Sequence, residues 1–257
     1  MKNNDDKIIY TQRREKTTFP IDSTKDNIVI NANKSLEFSN KKVLNQAFIL
    51  HSKGDFLKAS KYYQYLINKG VKDPKVFSRY AILLKDLRKF KEAELMLLKA
   101  IELKPDYAEA HFLLGNLLAY LGKFNEAEIA MIKTLKLKPD YVVAHYCLGR
   151  IFKDLGKFKE AEISIRKAIE LKADFAEAHS NLGDILTKLG KLDFAILSYK
   201  NALSLKKRFY EASYGLGKAL FRNGKYLEGL EKIKECQGYI KFDLNEGMSI
   251  NYENREI

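Results

Sequence analysis

Gly115 returns as Gly149, Gly183 and Gly217, always 34 residues later, and Ala81 and Ala47 occupy the same slot upstream. A constant interval of this length describes a stacked array, because each unit can bury its apolar face only against its neighbours. Six units run without insertion or deletion over residues 40–240, divided as 40–73, 74–107, 108–141, 142–175, 176–209 and 210–240. A chain of 257 residues would otherwise suggest two globular domains, but an array grows along one dimension and its length carries no such meaning.

Each offset within the unit has a physical reason. With Ala108 as position 1, the small residue at position 8 faces Ala127, Ala161 and Ala195 at position 20, which lets two helices cross closely. Large residues surround that crossing: Leu114, Leu148, Leu182 and Leu216 at position 7, Leu118, Phe152, Leu186 and Leu220 at position 11, and Phe124, Phe158, Leu192 and Tyr226 at position 17. Gly122, Gly156, Gly190 and Gly224 at position 15 end the first helix, since glycine adopts a left-handed backbone without a Cβ clash. Pro105 and Pro139 at position 32 mark the end of the second helix. Each unit is thus a helix, a tight turn and a second helix.

This pattern resembles the tetratricopeptide repeat (TPR) family over residues 40–240. The units AEAHFLLGNLLAYLGKFNEAEIAMIKTLKLKPD and VVAHYCLGRIFKDLGKFKEAEISIRKAIELKAD carry the resemblance most fully. It implies an all-α fold, a right-handed superhelical solenoid of six stacked helix-turn-helix units. The chain departs from the family where histidine replaces the position-4 aromatic in three units, where Gln46 replaces the position-7 leucine, and where Gly229 replaces the position-20 alanine.

Outside the array, residues 1–39 mix charges with Thr, Asn and Asp without helical period, and are expected to form a flexible arm. Residues 241–257 form a tail that is expected to lie extended as a cap over the last helix pair; the apolar alternation Ile240, Phe242, Leu244 fits that reading. No apolar stretch approaches the roughly 20 residues of a membrane span, and MKNNDDKIIY lacks the features of a signal peptide. Two isolated cysteines, Cys147 and Cys236, exclude a disulfide framework. A soluble cytoplasmic protein without membrane association is the expectation.

The formal net charge of +13 is concentrated in the array: the 39 preceding residues hold seven Lys or Arg against six Asp or Glu, and residues 241–257 hold two against four. Lys123, Lys157, Lys191 and Lys225 lie in turns within units, and Lys104, Lys138, Lys172 and Lys206 in turns between them. Such rows read first as a solvated surface that keeps an array monomeric, and second as a platform for an anionic partner.

His111, His145 and His179 recur once per unit. Zinc requires ligand nitrogens about 2.0–2.1 Å from one ion, and equivalent positions on successive units stand too far apart to converge, so these rings are read as packing residues. No phosphate loop, GxSxG, clustered CxxC or isolated carboxylate pair is present, and Cys147 reads as a small filler. Neither catalysis nor a metal or other cofactor is indicated.

The family resemblance implies binding on a concave face lined by first-helix positions 2, 5, 6, 9, 12 and 13. In the first three units these positions include Asn45, Lys75, Arg79, Phe112, Asn116 and Tyr120. In the fourth and fifth they include Tyr146, Arg150, Lys153, Asn181 and Lys188, and in the sixth Tyr214, Lys218 and Arg222. Asparagines pair with peptide backbone, arginines fork onto carboxylates, and aromatics supply contact area at small entropic cost. The ligand that fits is an extended or short helical protein segment with acidic residues, so the expected role is a non-enzymatic interaction scaffold. Some family members grip a partner's C-terminal carboxylate with five residues. Asn45, Lys75 and Arg79 match three of these, and residues 6–39 supply no match for the two from the clamp's first repeat. Nucleic-acid or other polyanion binding through the basic surface is one alternative, although a strict 34-residue period differs from the 35 of RNA-reading arrays. An accessory module that presents substrates to a separate transferase is another.

Overall fold

The structure, a computed structural model, describes residues 40–237 together with 239–243 and 247–251. The expected flexible arm lies outside the described residues. Twelve helices run in sequence order among the described residues: α1 (Asn40–Ser52), α2 (Phe56–Asn68), α3 (Pro74–Asp86), α4 (Phe90–Leu103), α5 (Ala108–Tyr120) and α6 (Phe124–Leu137), then α7 (Val142–Asp154), α8 (Phe158–Leu171), α9 (Ala176–Lys188), α10 (Leu192–Leu205), α11 (Tyr210–Arg222) and α12 (Tyr226–Gln237). They pack as six antiparallel pairs, each odd helix against the following even one, and the pairs stack in order. The result is a helical repeat solenoid.

The turns are built by backbone hydrogen bonding. In the third pair the Lys123 amide donates to the Leu118 carbonyl at 2.9 Å and the Gly122 amide to Ala119 at 3.1 Å, which closes the carbonyls at the end of α5. Glycine supplies the positive φ this requires in five pairs, and in the second Arg88 adopts it at φ 58°. Asp55 and Asp73 cap α2 and α3 by accepting amides of the first turn.

The core is the crossing within each pair. Ala47, Ala81, Ala59, Ala93, Ala127, Ala161 and Ala195 are buried, and at Gly149 an added Cβ would stand 2.6 Å from Ile165. In the sixth pair, glycine at both Gly217 and Gly229 lets backbone meet backbone: a Cβ on either would lie 2.8 Å from the other's carbonyl oxygen. At position 24, Tyr63, Leu97, Met131, Ile165 and Tyr199 are almost completely enclosed, and Met131, Ile165 and Tyr199 meet the crossing glycine of their own pair. Tyr226 departs from the knobs expected at position 17. It is 58% exposed at the end of the array, its ring against Phe221.

Beyond α12 the chain forms an antiparallel hairpin of β1 (Tyr239–Asp243) and β2 (Gly247–Asn251), in which Phe242 pairs with Met248. The described part of the expected extended tail is thus two paired strands. No helix among the described residues is long and apolar enough to cross a membrane.

Candidate functional site

Each odd helix touches the odd helix of the next pair, whereas successive even helices do not touch. The odd helices are thus the closely spaced, inner row of the stack, and the side chains they do not bury against even helices form one continuous surface.

The structure sorts the expected site residues on this surface into three groups. Some hold an odd helix to the residue that caps the next odd helix. Phe112 is half-buried and its ring lies 4.8 Å from that of Tyr141, and Tyr146 repeats the same contact with Phe175 one unit later. A second group forms a polar cluster between α7 and α9. Lys153 Nζ donates to Asn181 Oδ1 at 3.0 Å and to Asp184 Oδ2 at 3.3 Å, and Asn181 Nδ2 donates to the Tyr146 hydroxyl at 2.9 Å. Tyr199, from the even helix α10, reaches this cluster from below and donates to Asp184 Oδ1 at 2.7 Å. Arg150 completes its edge, with its guanidinium 5.8 Å from the Tyr146 ring centre.

The third group mostly faces solvent. Asn45, Lys75, Tyr120, Arg150, Lys188, Tyr214, Lys218 and Arg222 are exposed, and Asn116 is half-buried. Lys218 sits 5.2 Å over the Tyr214 ring, and Arg222 donates to the Thr187 carbonyl at 3.3 Å. Arg150, Lys188, Lys218 and Arg222 have no carboxylate partner among the described residues, in contrast to Lys153. At the other end Arg79 is half-buried with its guanidinium 4.9 Å over Phe48, a position-9 residue absent from the expected set. Of the five-residue carboxylate clamp, Asn45, Lys75 and Arg79 lie on α1 and α3, and its first repeat would fall outside the described residues.

Burial sets the protonation of the surface. It pushes the Tyr146 and Tyr199 hydroxyls up, the latter aided by the Asp184 carboxylate, and it pushes the Cys147 thiol up. Tyr107, half-buried and donating to Glu109 at 2.7 Å, is pushed up to about 12. These groups stay neutral at ordinary pH, and the Tyr107 and Tyr199 hydroxyls donate.

The periodic histidines do more than fill space. Nε2 of His111, His145 and His179 lies 2.9, 2.7 and 3.0 Å from the carbonyl oxygen six residues earlier, so each ring donates to the turn that enters its unit. The lysine rows are also engaged. Lys123, Lys157 and Lys191 pair with Glu94, Glu128 and Glu162 of the preceding unit at 3.3, 2.7 and 2.8 Å. Lys138, Lys172 and Lys206 lie 4.7, 5.5 and 4.6 Å over Tyr141, Phe175 and Phe209.

Three family models match. One described as TPR repeat covers residues 149–190 and 183–224, and two described as tetratricopeptide repeat cover 96–129 and 74–107, together about half of the chain. No curated protein matches the chain in sequence. Among solved structures, it is similar to YrrB, a TPR protein with an unusual peptide-binding site, at 24% identity and a TM-score of 0.61 over 68% of this chain and 92% of that one. It is similar to MamA at 25% identity and a TM-score of 0.57, over 60% and 90% of the two chains. PilW, a widely conserved type IV pilus biogenesis factor, superimposes with a TM-score of 0.69 at 19% identity, over 77% and 92%. The paired helices, the glycine turns and these matches have one reading: the chain belongs to the tetratricopeptide repeat family.

Proposed function

We propose that this protein is a non-enzymatic scaffold whose inner row of odd helices holds an acidic, extended or short helical segment of a partner protein. The observation that carries the reading is the set of exposed cations Arg150, Lys188, Lys218 and Arg222, which have no carboxylate partner among the described residues, interspersed with the exposed rings of Tyr120 and Tyr214. Charge-assisted bonds to carboxylates and flat aromatic area are what such a segment requires. The clustered Tyr146, Lys153, Asn181 and Asp184 serve this role by fixing α7 against α9, so that the cations are presented on a rigid wall. Membership of the TPR family and the peptide-binding site of YrrB support the same reading. Presentation of substrates to a separate transferase would be one use of this wall.

The engaged lysine rows weaken the case for a polyanion platform, because Lys123, Lys157 and Lys191 already face carboxylates. The test uses an array of synthetic 12-residue peptides graded in Asp and Glu content. Binding is expected to rise with acidic content and to be lost in Arg150→Glu/Lys188→Glu/Arg222→Glu with helicity unchanged. Equal binding by the variant would refute the assignment. Tighter binding of single-stranded RNA than of any peptide, with a steep salt dependence, would favour the polyanion reading instead.

A further inference from the structure

The outer face carries a repeated stripe that the inner wall does not explain. Position 22 is aliphatic in four consecutive units, and every one of these side chains faces solvent: Leu95 is 60% exposed, Ile129 70%, Ile163 70% and Leu197 56%. The slot is charged at either end of the array, as Lys61 and Glu231. In three units the aliphatic residue has a glutamate three residues before it and a lysine four after: Glu92, Leu95, Lys99 on α4; Glu126, Ile129, Lys133 on α6; Glu160, Ile163, Lys167 on α8. Spacings of three and four place all three side chains on one helix face, in the order acid, apolar, base. Exposed aliphatics repeated in register, unlike ones scattered singly, form a candidate contact surface.

We propose that this face is a dimerisation surface whose occupant is a second copy of the chain. A stripe ordered acid, apolar, base is complementary to itself when two helices meet antiparallel. With a two-fold axis along the stack, Ile129 packs on Ile129 of the other copy while each Glu126 faces the other copy's Lys133. Glu126 and Lys133 are both exposed and have no ion-pair partner among the described residues, so both are available. The opposite two-fold, which reverses one array, would set Glu126 against Glu160 and is disfavoured by like charge. Because the even helices form the outer row, two such faces meet at the middle of the arrays, and Ile129 and Ile163 are the most exposed of the four.

The experiment is sedimentation velocity of the full chain from about 1 to about 200 µM. The wild type is expected to pass from monomer to dimer over this range, and Ile129→Glu/Ile163→Glu to remain monomeric with unchanged circular dichroism. Glu126→Lys and Lys133→Glu are each expected to weaken association about tenfold, and the two together to restore it to within a few-fold, because every chain supplies both partners. A wild type that stays monomeric at the highest concentration overturns the proposal, as does a dimer that survives the double isoleucine replacement. Single charge reversals that change nothing, or a combination that fails to recover, overturn the geometry. Binding to anionic vesicles by a chain that remains monomeric would assign the stripe to a membrane and sink the second copy. Arg150→Glu/Lys188→Glu/Arg222→Glu is expected to dimerise as wild type does, which separates this surface from the inner wall.

Discussion

Tyr199 lies so close to Gly183 that a Cβ on the glycine would stand 2.7 Å from the ring, and the same ring excludes a Cβ on Gly215 at 2.5 Å. One side chain thus holds its own unit and the next at fixed spacing, and its hydroxyl then anchors Asp184 on the inner wall. Gly183→Ala is expected to cost about 1–3 kcal/mol, because a ring cannot yield as a flexible chain can. Gly115→Ala, where the neighbour at 3.0 Å is the end of Met131, is expected to cost much less. Thermal denaturation of the two variants measures the difference, and Gly183→Ala/Tyr199→Leu recovering most of the loss would locate it at this contact.

Tyr63 occupies the same slot in the first pair with a different outcome. Its ring is stacked 5.5 Å from that of Tyr80, but its buried hydroxyl has no hydrogen-bond partner among the described residues. Tyr63→Phe is expected to be neutral or to stabilise by about 1 kcal/mol at pH 7, whereas Tyr199→Phe loses a bond to a carboxylate and is expected to destabilise by about 1 kcal/mol. The pH dependence has a definite sign. Burial pushes Tyr63 up to about 12, while in the unfolded chain it ionises near 10. Stability from this group is whole below pH 10 and is lost as pH rises through 12, by on the order of 1 kcal/mol per unit. Melting temperatures between pH 9 and 12 should therefore fall less steeply in Tyr63→Phe than in wild type.

The helix pairs were legible because the features that make them act locally and recur at one offset. A positive φ after the first helix and a close approach at the crossing each demand a small residue wherever they occur, so Gly122 or Ala127 can be read without knowing the rest of the molecule. The inner wall was legible only in part. That Phe112 is taken up by Tyr141, and Lys153 by Asn181 and Asp184, depends on how far each unit rotates against the next, which no single unit specifies. The lysines of the turns meet glutamates 29 residues earlier for the same reason. The second strand of the terminal hairpin, GMSIN, has too weak an alternation to announce itself, whereas the first could be read as extended from Ile240 and Phe242.

Arg88 is the exception among the turns. At φ 58° it stands in the left-handed region that glycine fills, at φ between 74° and 81°, in the other five pairs. It is exposed, and its backbone makes the same closing bonds, Arg88 amide to the Lys85 carbonyl at 2.9 Å and Lys89 amide to Leu84 at 2.8 Å. Arg88→Gly is expected to raise stability by about 1 kcal/mol, the cost of a Cβ in this conformation outweighing the added freedom of the unfolded chain. A lower melting temperature for the variant would mean that the arginine side chain holds something in place.

The ladder of lysines and glutamates gives an acid-side prediction. Glu162 is the most enclosed of its carboxylates, 13% exposed, and accepts from Lys191 at 2.8 Å and from Arg166 at 2.9 Å. Burial alone would raise its pKa, but the two cationic partners outweigh burial and hold the carboxyl below the usual range. A depressed carboxyl stabilises the fold above its unfolded pKa and loses that contribution as pH falls through the folded one. Melting temperature should accordingly decline between about pH 5 and pH 3, and Glu162→Gln should show a smaller decline from a slightly lower starting point. In the sixth pair the register breaks, because Ile196 stands where Lys225 would need an acid, and Asn223 bonds Asp193 at 2.9 Å instead. Ile196→Glu, which would place a carboxylate at a site now only 7% exposed, should therefore gain at most a weak pair with Lys225 while losing apolar burial, and the expected net effect is a loss of about 1–3 kcal/mol.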